Sequence, residues 1–340
     1  MSVLSEAVFA YRLRWKRRRL LFRALRKRRQ LCPVVNRASQ ISAQDILLFS
    51  TVRNEALRLP FFLEHYRKLG VRHFLMVDNA SDDGTAEFLK QQDDVSLWRT
   101  TKSYRLSRFG VDWVTWLQIK YGHGHWCLSV DADEILIYPH YQTRNLPALT
   151  GWLDQHGHES FGALMLDMYP KGPVGDAAYK PGENPFNTMS WFDSGNYVMQ
   201  KKSDLQNLWI QGGVRARLFF KNRPKRAPTL GKIPLVKWNR RYAYVSSAHS
   251  LLPRRLNQVY DADGGERTSG ILLHSKFLNS VVTRSSEEKQ RAEHFANSSL
   301  YDDYYDALSE NPTLWCETSS QLIGWRQLEA MGLMSKGNWV

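Results

Sequence analysis

The amino-acid sequence predicts an α/β protein with a mostly parallel sheet flanked by helices. Two observations predict this class. Short apolar runs alternate with segments of helical spacing from residue 46 onward, and each run is continuously apolar rather than alternating with polar residues. The chain has 340 residues, 43% of them apolar, which is enough to bury a core and excludes wholesale disorder and a fibrous repeat.

The first half of the chain contains the regular elements. Strands are predicted at residues 46–49, 74–77, 95–98 and 126–130, and helices between them at 59–69, 86–92 and 111–121. From about Pro139 the pattern is less regular, with strand-like runs at 214–220 and 242–245. We therefore expect a smaller, loop-rich extension at 139–284 and a helical tail at 285–340.

Positive charge is concentrated near the amino terminus, within a segment 1–44 that we interpret as a basic arm and linker. Residues 12–29 carry eleven Lys and Arg side chains and no acid, and without them the net charge falls from +14 to +3. Bulky apolar residues such as Trp15 and Phe22 lie among these cations. This mixture favours an anionic membrane surface as partner. A solvated tail, an RNA-binding arm and an Arg-rich transit peptide are the alternatives.

Two further classes are disfavoured by the sequence. The longest apolar runs span about half a dozen residues, whereas a transmembrane helix needs about 18. The cysteines Cys32, Cys127 and Cys316 are far apart and have no metal-ligand spacing, which indicates reduced thiols rather than a zinc site or a disulfide framework.

Polar clusters follow three of the predicted strands, at residues 51–55, 78–81 and 131–134. Because the carboxyl ends of parallel strands meet at one edge of a sheet, we expect these clusters to form one polar cleft. Asp131 and Asp133, two positions apart in a tight turn, can direct hard oxygen ligands at one Mg²⁺ or Mn²⁺.

These clusters resemble segments of family 2 glycosyltransferases with the GT-A fold, a Rossmann-like architecture. The matching segments read TVRNE (51–55), YRKLGV (66–71), VDNASDDGT (77–85) and SVDADE (129–134). Four later segments are similar to one bacterial branch of that family: LDMY (166–169), GGVRARLF (212–219), KIPLVKW (232–238) and LLHSKF (272–277). The resemblance covers roughly residues 46 to 335.

The resemblance implies a nucleotide-sugar donor of the UDP or GDP type. It makes residues 45–138 the nucleotide-binding half and 139–284 the acceptor side. Residues expected to bind the donor are Thr51, Arg53, Asn54, Glu55, Asp78, Asn79, Asp131, Arg215 and Lys276. Carboxylates suit this task because they accept hydrogen bonds from nucleobase N–H groups and ribose hydroxyls. Basic residues of the later stretch, Arg215, Arg217, Lys232 and Lys237, are expected partners for phosphate charge.

A divalent metal, Mn²⁺ or Mg²⁺, is also implied. Asp131 and Asp133 would hold it against the diphosphate, and His274 is similar in position to a histidine that often completes the metal shell. His249 is the weaker alternative ligand.

Family 2 enzymes invert the anomeric centre, so a carboxylate base is expected on the acceptor side. Asp193 is the preferred candidate and Asp167 the alternative, with Asp263 and Glu266 as further competitors.

The sequence is therefore interpreted as a metal-dependent inverting glycosyltransferase, of hexosyltransferase type, acting on a saccharide or lipid-linked acceptor in bacterial surface polysaccharide or lipopolysaccharide synthesis. We expect a cytoplasmic protein, peripheral at the inner face of the membrane, with no nucleic-acid partner. Two alternatives stay open. One is a nucleic-acid-binding protein that uses the basic arm. The other is a GT-A domain that binds sugar nucleotides without catalysis.

Overall fold

The computed structural model describes residues 3–260, 267–279 and 302–339. The helices of this part are α1 (Val3–Lys27), α2 (Leu59–Lys68), α3 (Thr85–Lys90), α4 (Val111–Tyr121), α5 (Leu146–Gln155), α6 (Pro185–Thr188), α7 (Asp302–Ser309) and α8 (Trp325–Ala330). The strands are β1 (Cys32–Val35), β2 (Ile46–Val52), β3 (Val71–Asp78), β4 (Val95–Arg99), β5 (Trp126–Ser129), β6 (Glu134–Ile137), β7 (Ser160–Asp167), β8 (Trp191–Asp193), β9 (Val198–Lys201), β10 (Leu208–Gln211), β11 (Gly231–Lys237), β12 (Ala243–Ser246), β13 (Ser250–Leu252), β14 (Gly270–His274) and β15 (Ser319–Gln321).

Within the described residues, nine strands form one sheet in the order β1-β4-β3-β2-β5-β11-β7-β14-β6. The pairings make β4, β3, β2, β5, β7 and β14 run in one direction, and β1, β11 and β6 run against them. The predicted α/β class with a mostly parallel sheet is thereby confirmed. Strands from both halves of the chain contribute, since β7, β11 and β14 follow residue 139.

Helices cover both faces of the sheet, which explains the continuously apolar strands. In β2, Ile46 and Leu48 face the core formed with α2, α3 and α5, whereas Leu47 and Phe49 face the core formed with α4. Successive side chains of a strand point to opposite faces, so a sheet buried on both sides needs apolar residues at every position.

Two-stranded ribbons make up much of the second half: β8 with β15, β9 with β10, and β12 with β13. The strand predicted at 242–245 is confirmed as β12. The strand predicted at 214–220 is wrong, because Arg215–Phe219 forms a π-helical turn. Gly212 and Gly213, with φ of 155° and 65°, turn the chain immediately before it. The predicted helical tail contains α7, β15 and α8 in its described part, and residues 285–301 lie outside the described residues.

The basic arm is a helix docked on the body of the protein, not a solvated tail. Leu20 and Ala24 of α1 are buried, and Arg23 Nε lies 2.6 Å from Asp112 of α4. The segment predicted as a linker instead begins with β1, which pairs with β4 at the edge of the sheet. An edge strand tolerates Pro33, which cannot donate a backbone hydrogen bond. Among the described residues, no helix combines the length and the apolar character needed to cross a bilayer.

Candidate active site

The polar residues singled out in the sequence lie together at the carboxyl ends of the parallel strands. Asp78, Asp167 and His274 are the last residues of β3, β7 and β14. Asp131 and Asp133 occupy the turn between β5 and β6. Strand register places His274 beside Asp167 on β7 and beside Glu134 on β6. These polar residues therefore lie along one edge of the sheet, where the sequence predicts a polar cleft.

His274 lies at the centre of this cluster and is buried. Its Nδ1 lies 2.6 Å from Asp167 Oδ1, and its Nε2 lies 3.1 Å from Asp133 Oδ2. Asp167 also accepts from Arg215, whose Nε is 2.7 Å from Oδ2. A chain of contacts thus connects Asp133, His274, Asp167 and Arg215.

The charges of this chain stabilise one another. Burial disfavours the charged ring of His274, but Asp133 and Asp167 outweigh it and raise its pKa. Burial likewise disfavours the Asp133 carboxylate, yet His274 holds the pKa of that group well below its ordinary value. For Asp167, burial is outweighed by Arg215 and His274, which lower its pKa to about 2.

Lys232 of β11 holds the acidic turn from the other side. Its buried Nζ lies 3.0 Å from Asp131 Oδ2 and also donates to the buried Glu134 carboxylate. Glu134 Oε2 in turn accepts from the backbone N–H of Asp131 at 3.1 Å. Burial raises the pKa of Glu134 to about 7 despite the lysine. Lys232 was expected to contact phosphate, whereas in the structure it contacts the carboxylates of Asp131 and Glu134.

Among the described residues, Asp133, Glu134 and His274 offer ligand atoms that all lie within 4.8 Å of one another. Sequence reasoning named Asp133 and His274 but not Glu134, although the DADE box contains it. Asp131, the third predicted ligand, is 47% exposed at its side chain and held by Lys232. Beside Asp133 and His274, the turn therefore offers two candidates for a third ligand of a divalent ion, Asp131 and Glu134.

Arg58 is a site residue that the sequence reasoning missed. Its buried guanidinium donates through Nη1 to Glu55 Oε2 at 2.7 Å and through Nη2 to the Ser275 carbonyl at 3.2 Å. The backbone N–H of Ser275 donates to the Asp133 carbonyl at 2.7 Å. Arg58 thus joins the loop after β2 to the cluster of Asp133 and His274. A buried arginine between an acid-rich turn and a strand end has no signature in the local sequence.

The two loops of the predicted donor site hold each other by hydrogen bonds. Arg53 Nη1 donates to the Asn79 carbonyl at 2.9 Å, and the Asn54 N–H donates to Ser81 Oγ at 3.0 Å. Asn79 Nδ2 donates to the carbonyls of Thr100 and Lys102, at 3.1 and 3.0 Å.

Asp78 is buried between these loops, where it accepts from the Ser81 N–H at 3.2 Å and faces Arg99 Nε at 3.4 Å.

A cavity of about 40 Å³ lies between the ends of β2, β5 and β11 and the start of α4. Thr51, Gly110, Asp131 and Lys232 are among its lining residues. Gly110 has a φ of 75°, and a Cβ there would lie 2.6 Å from Thr51 Oγ1. The cavity lies between the carboxyl end of β2 and the acidic turn, and a side chain at position 110 would clash with Thr51.

The remaining basic residues of the later stretch also contact carboxylates. Arg217 Nε lies 2.8 Å from Asp193 Oδ2, and Lys237 Nζ lies 2.7 Å from Asp154 Oδ1. With Arg215 on Asp167, each of these predicted phosphate partners has an acidic partner within the fold. Lys276 is placed where its charge helps to lower the pKa of Asp133.

The base candidates occupy different positions. Asp193 is buried on β8, where Arg217 binds both carboxylate oxygens and Tyr169 donates a further hydrogen bond. Tyr197 donates to the Asp193 carbonyl at 2.7 Å. Asp167 contacts His274 directly, as described above. Asp263 and Glu266 lie outside the described residues.

His249, the alternative metal ligand, makes a different contact from His274. Its Nδ1 lies 2.7 Å from the Gly231 carbonyl. Burial lowers the pKa of this ring to about 4. Within the part of the chain that the structure describes, the acid–imidazole cluster contains His274 and not His249.

Comparison with known proteins gives one sequence similarity of note. No family model matches the chain. A stretch of 119 residues is 25% identical to a glycosyltransferase family 92 protein of Oryza sativa subsp. japonica. The match covers 33% of this chain and 19% of that relative, so the chain spans about a fifth of the relative's length. The family 2 resemblance remains a prediction beside this similarity to another glycosyltransferase.

Among solved structures, the chain is similar to a proposed glucose-1-phosphate thymidylyltransferase from Bacillus anthracis in complex with sucrose. The TM-score is 0.30 and the sequence identity 8%, with 78% of this chain and 83% of that chain covered. The similarity that bears on function is therefore the sequence match to a glycosyltransferase.

Proposed function

We propose that this protein is a metal-dependent, inverting glycosyltransferase that moves a hexosyl group from a UDP- or GDP-sugar to a saccharide or lipid-linked acceptor, in bacterial surface polysaccharide synthesis. The observation that carries the proposal is the convergence of Asp133 and His274 at 3.1 Å, at the edge of the sheet that also bears Asp78. In open α/β sheets this edge is where ligands bind. The similarity to a family 92 glycosyltransferase supports the same class of reaction.

The residues present fit a divalent metal. In an octahedral site with ligands at about 2.1 Å, neighbouring ligand atoms are about 3 Å apart, and Asp133 Oδ2 and His274 Nε2 are separated by 3.1 Å. Carboxylate and imidazole are suitable ligands for Mn²⁺, and Asp131 or Glu134 would add a further oxygen. When bound, the ion would supply charge neutralisation for the leaving nucleoside diphosphate.

Asp167 and Arg215 act as positioning residues in this proposal. Asp167 accepts the Nδ1 proton of His274, so that Nε2, once it has lost its own proton, would direct its lone pair at the ion. Arg215 holds the second oxygen of Asp167 and prevents the carboxylate from rotating away. In this proposal Asp167 orients His274 and does not act as the alternative base.

The donor would bind along the loops that follow β2 and β3. Asp78 and Glu55 offer carboxylate oxygens for the nucleobase and the ribose, with Thr51, Arg53, Asn54 and Asn79 in the same loops. Lys276 contributes positive charge beside Asp133, where the diphosphate would lie. Lys232 keeps the acidic turn in place through Asp131 and Glu134.

Inversion requires a base that removes the acceptor hydroxyl proton as the sugar transfers. Asp193 is the proposed base, on the ribbon of β8 and β15 in the acceptor half. If it is the base, Asp193→Asn should lower kcat by more than about 10²-fold while donor affinity stays unchanged. An equal loss of donor affinity would instead assign Asp193 to holding Arg217 and the surrounding fold.

The experiment that tests the function is calorimetric titration of UDP and GDP into the full chain, with and without Mn²⁺. We expect binding of one diphosphate that requires the metal, and loss of this binding in Asp133→Asn and His274→Ala. Asp154→Asn, which changes an acid that contacts Lys237 at the opposite end of β11 from Lys232, should bind normally. Folding of each variant is checked by circular dichroism. A folded wild-type protein that binds neither diphosphate in Mn²⁺ would overturn the proposal.

Turnover separates an enzyme from a non-catalytic binding domain. The wild-type protein should release nucleoside diphosphate slowly from the matching nucleotide-sugar, in a Mn²⁺-dependent reaction that Asp133→Asn abolishes. Metal-dependent binding with no release, even with acceptor-containing membranes added, would favour a sugar-nucleotide-binding domain without catalysis.

A further inference from the structure

Helix α1 carries apolar residues on two opposite faces, and among the described residues one face packs on the body of the protein while the other is exposed. Leu20 and Ala24 are buried against the body of the protein. On the other side, Val8, Tyr11, Trp15, Phe22 and Leu25 are exposed. With Arg18, they follow one another at spacings of three and four residues, which places them along one stripe of a helix. We call these six residues the outward stripe.

The exposure of the outward stripe is large for such side chains. Tyr11 and Phe22 are each 60% exposed, Trp15 is 53% exposed and Leu25 is 40% exposed. Soluble surfaces rarely present several bulky apolar residues in a row unless another surface covers them. The stripe faces outward because the opposite side of α1 is attached to the body: Arg23 pairs with Asp112, and just after the helix the Gln30 side chain accepts from Trp113 Nε1.

We infer that the outward stripe binds an anionic membrane surface, with α1 lying in the plane of the interface. Exposed arginines flank the stripe, among them Arg14, Arg19 and Arg26, and residues 12–29 contain no acid. Aromatic and leucine side chains flanked by Arg are the pattern by which interfacial helices insert into the headgroup region while their guanidinium groups contact lipid phosphates. The inference concerns α1 alone and does not rest on the proposed reaction.

The same charges disfavour the other occupants. A second copy of α1 laid on the stripe would bring the two sets of arginines together without intervening acids, and like charges repel. An RNA would pair with the arginines and can stack bases on the aromatic rings, but it would leave the aliphatic side chains of Val8 and Leu25 in water. A lipid interface satisfies both the cations and the apolar groups.

A further exposed apolar residue lies in the loop that leads into α4, where this loop contacts α1. Leu106 is 66% exposed, and its carbonyl accepts a hydrogen bond from Arg23 of α1. Three and four residues later, Phe109 and Gly110 line the cavity between the end of β2 and the acidic turn. The loop that contacts α1 therefore also borders this cavity.

The test is flotation of the full chain with vesicles of phosphatidylcholine alone and of phosphatidylcholine with 30% phosphatidylglycerol. We expect binding to the anionic vesicles that weakens as salt is raised, and little binding to the neutral ones. The triple variant Tyr11→Ser/Trp15→Ser/Phe22→Ser should reduce binding at least tenfold. The matched control Val198→Ser/Met199→Ser removes two other exposed apolar residues, 70% and 57% exposed, and should bind like the wild type.

A second set of variants examines the charges. Arg14→Glu/Arg19→Glu/Arg26→Glu should abolish binding to the anionic vesicles, whereas Lys201→Glu/Arg223→Glu/Lys225→Glu, which makes the same change of charge on another exposed surface, should keep it. Thermal unfolding shows whether each variant is folded.

Three results would overturn the inference. The first is a folded wild-type protein that fails to float with anionic vesicles in 150 mM salt. The second is binding to a single-stranded RNA that the triple serine variant loses, with no binding to vesicles. The third is a dimer in light scattering that the triple serine variant converts to a monomer, again with no binding to vesicles.

Discussion

Asp167 Oδ1 lies 2.6 Å from His274 Nδ1, so that a carboxylate at the end of β7 fixes the imidazole at the end of the neighbouring strand β14. The two residues are adjacent in the register of a parallel pair, and Arg215 secures Asp167 from behind. Orientation of a ligand by a second carboxylate raises its basicity and restricts its rotation.

We predict that Asp167→Asn lowers Mn²⁺ affinity by about 10- to 100-fold, the effect typical of losing such an orienting partner. His274→Ala should remove measurable affinity. Electron paramagnetic resonance of free Mn²⁺ measures both, with Asp154→Asn as the control for loss of a surface acid. Unchanged affinity in a folded Asp167→Asn protein would show that Asp167 does not act through His274.

Lys232 should stabilise the fold through the two carboxylates that it contacts. We predict that Lys232→Met costs about 1–3 kcal/mol of unfolding free energy, because the buried Glu134 must then either take up a proton or stay charged without its cation. The double variant Lys232→Met/Glu134→Gln should recover part of this loss, since the uncompensated charge is gone. Urea unfolding of the single and double variants measures the difference, and a double variant no more stable than Lys232→Met would contradict the explanation.

Asp112 should attach α1 to the body. Its fully buried carboxylate lies 2.6 Å from Arg23 Nε and 2.7 Å from Arg108 Nε. We predict that Asp112→Asn destabilises the protein by about 2–4 kcal/mol and exposes residues before 31 to protease, because two arginines lose their counter-ion. Arg23→Ala should cost less than Arg108→Ala, since the Arg23 side chain is 41% exposed and that of Arg108 20%. Equal proteolysis of wild type and Asp112→Asn would argue against this attachment.

Gly110 should tolerate no side chain. Gly110→Ala combines a left-handed backbone with a Cβ only 2.6 Å from Thr51 Oγ1, whereas Gly84→Ala has a φ of 91° and no atom within 4 Å. We predict a loss of about 1–2 kcal/mol for Gly84→Ala from the backbone alone, and a larger loss, with weaker diphosphate binding, for Gly110→Ala. Unfolding and calorimetry of the two variants separate backbone strain from the steric clash.

His65 should make the free energy of unfolding decrease as the pH falls below about 6.5. Burial lowers its pKa to about 4 while Nε2 contacts the Leu136 carbonyl at 2.9 Å. Between about pH 6.5 and pH 4 the unfolded ring binds a proton that the folded ring does not, so the stability due to this group is lost as pH falls through that window. His65→Gln keeps a donor for Leu136 without titrating. The stability advantage of wild type over His65→Gln should therefore shrink from pH 7.5 to pH 4.5, and a constant difference would contradict this.

Much of the fold is predictable from local sequence, because the strands β2 to β5 are buried on both faces and therefore read as continuous apolar runs. β1 was not predicted, because the segment from Cys32 to Val35 is short, contains a proline and forms a strand by pairing with β4. The π-helical turn at Arg215–Phe219 also departs from its strand-like residue pattern, because the preceding glycines redirect the chain. In both cases tertiary context outweighs residue type.

The candidate site is predictable only in part, for a related reason. Asp78 and Asp133 follow strands that the sequence predicts, so their positions indicate them, whereas His274 is indicated by the resemblance to family 2 glycosyltransferases. The contacts that Lys232 and Arg58 make with this cluster cannot be predicted from their positions along the chain. Lys232 meets the acidic turn because β11 inserts antiparallel between β5 and β7, and Arg58 meets a carbonyl 217 positions away. Contacts of this range follow from topology rather than from motif.

The insertion of β11 and the late position of β14 also determine when the cluster can form. Asp133 and His274 are separated by 141 positions, and Lys232 by 98 from Glu134. Strands β2, β3, β4 and β5 can pair in the order in which they are synthesised, but the acidic turn acquires its lysine and its histidine only after long loops have closed. Until then the turn exposes several carboxylates without counter-ions. Assembly of the cluster should therefore be among the slow steps of folding, because the candidate site is complete only when β11 and β14 have paired with the sheet.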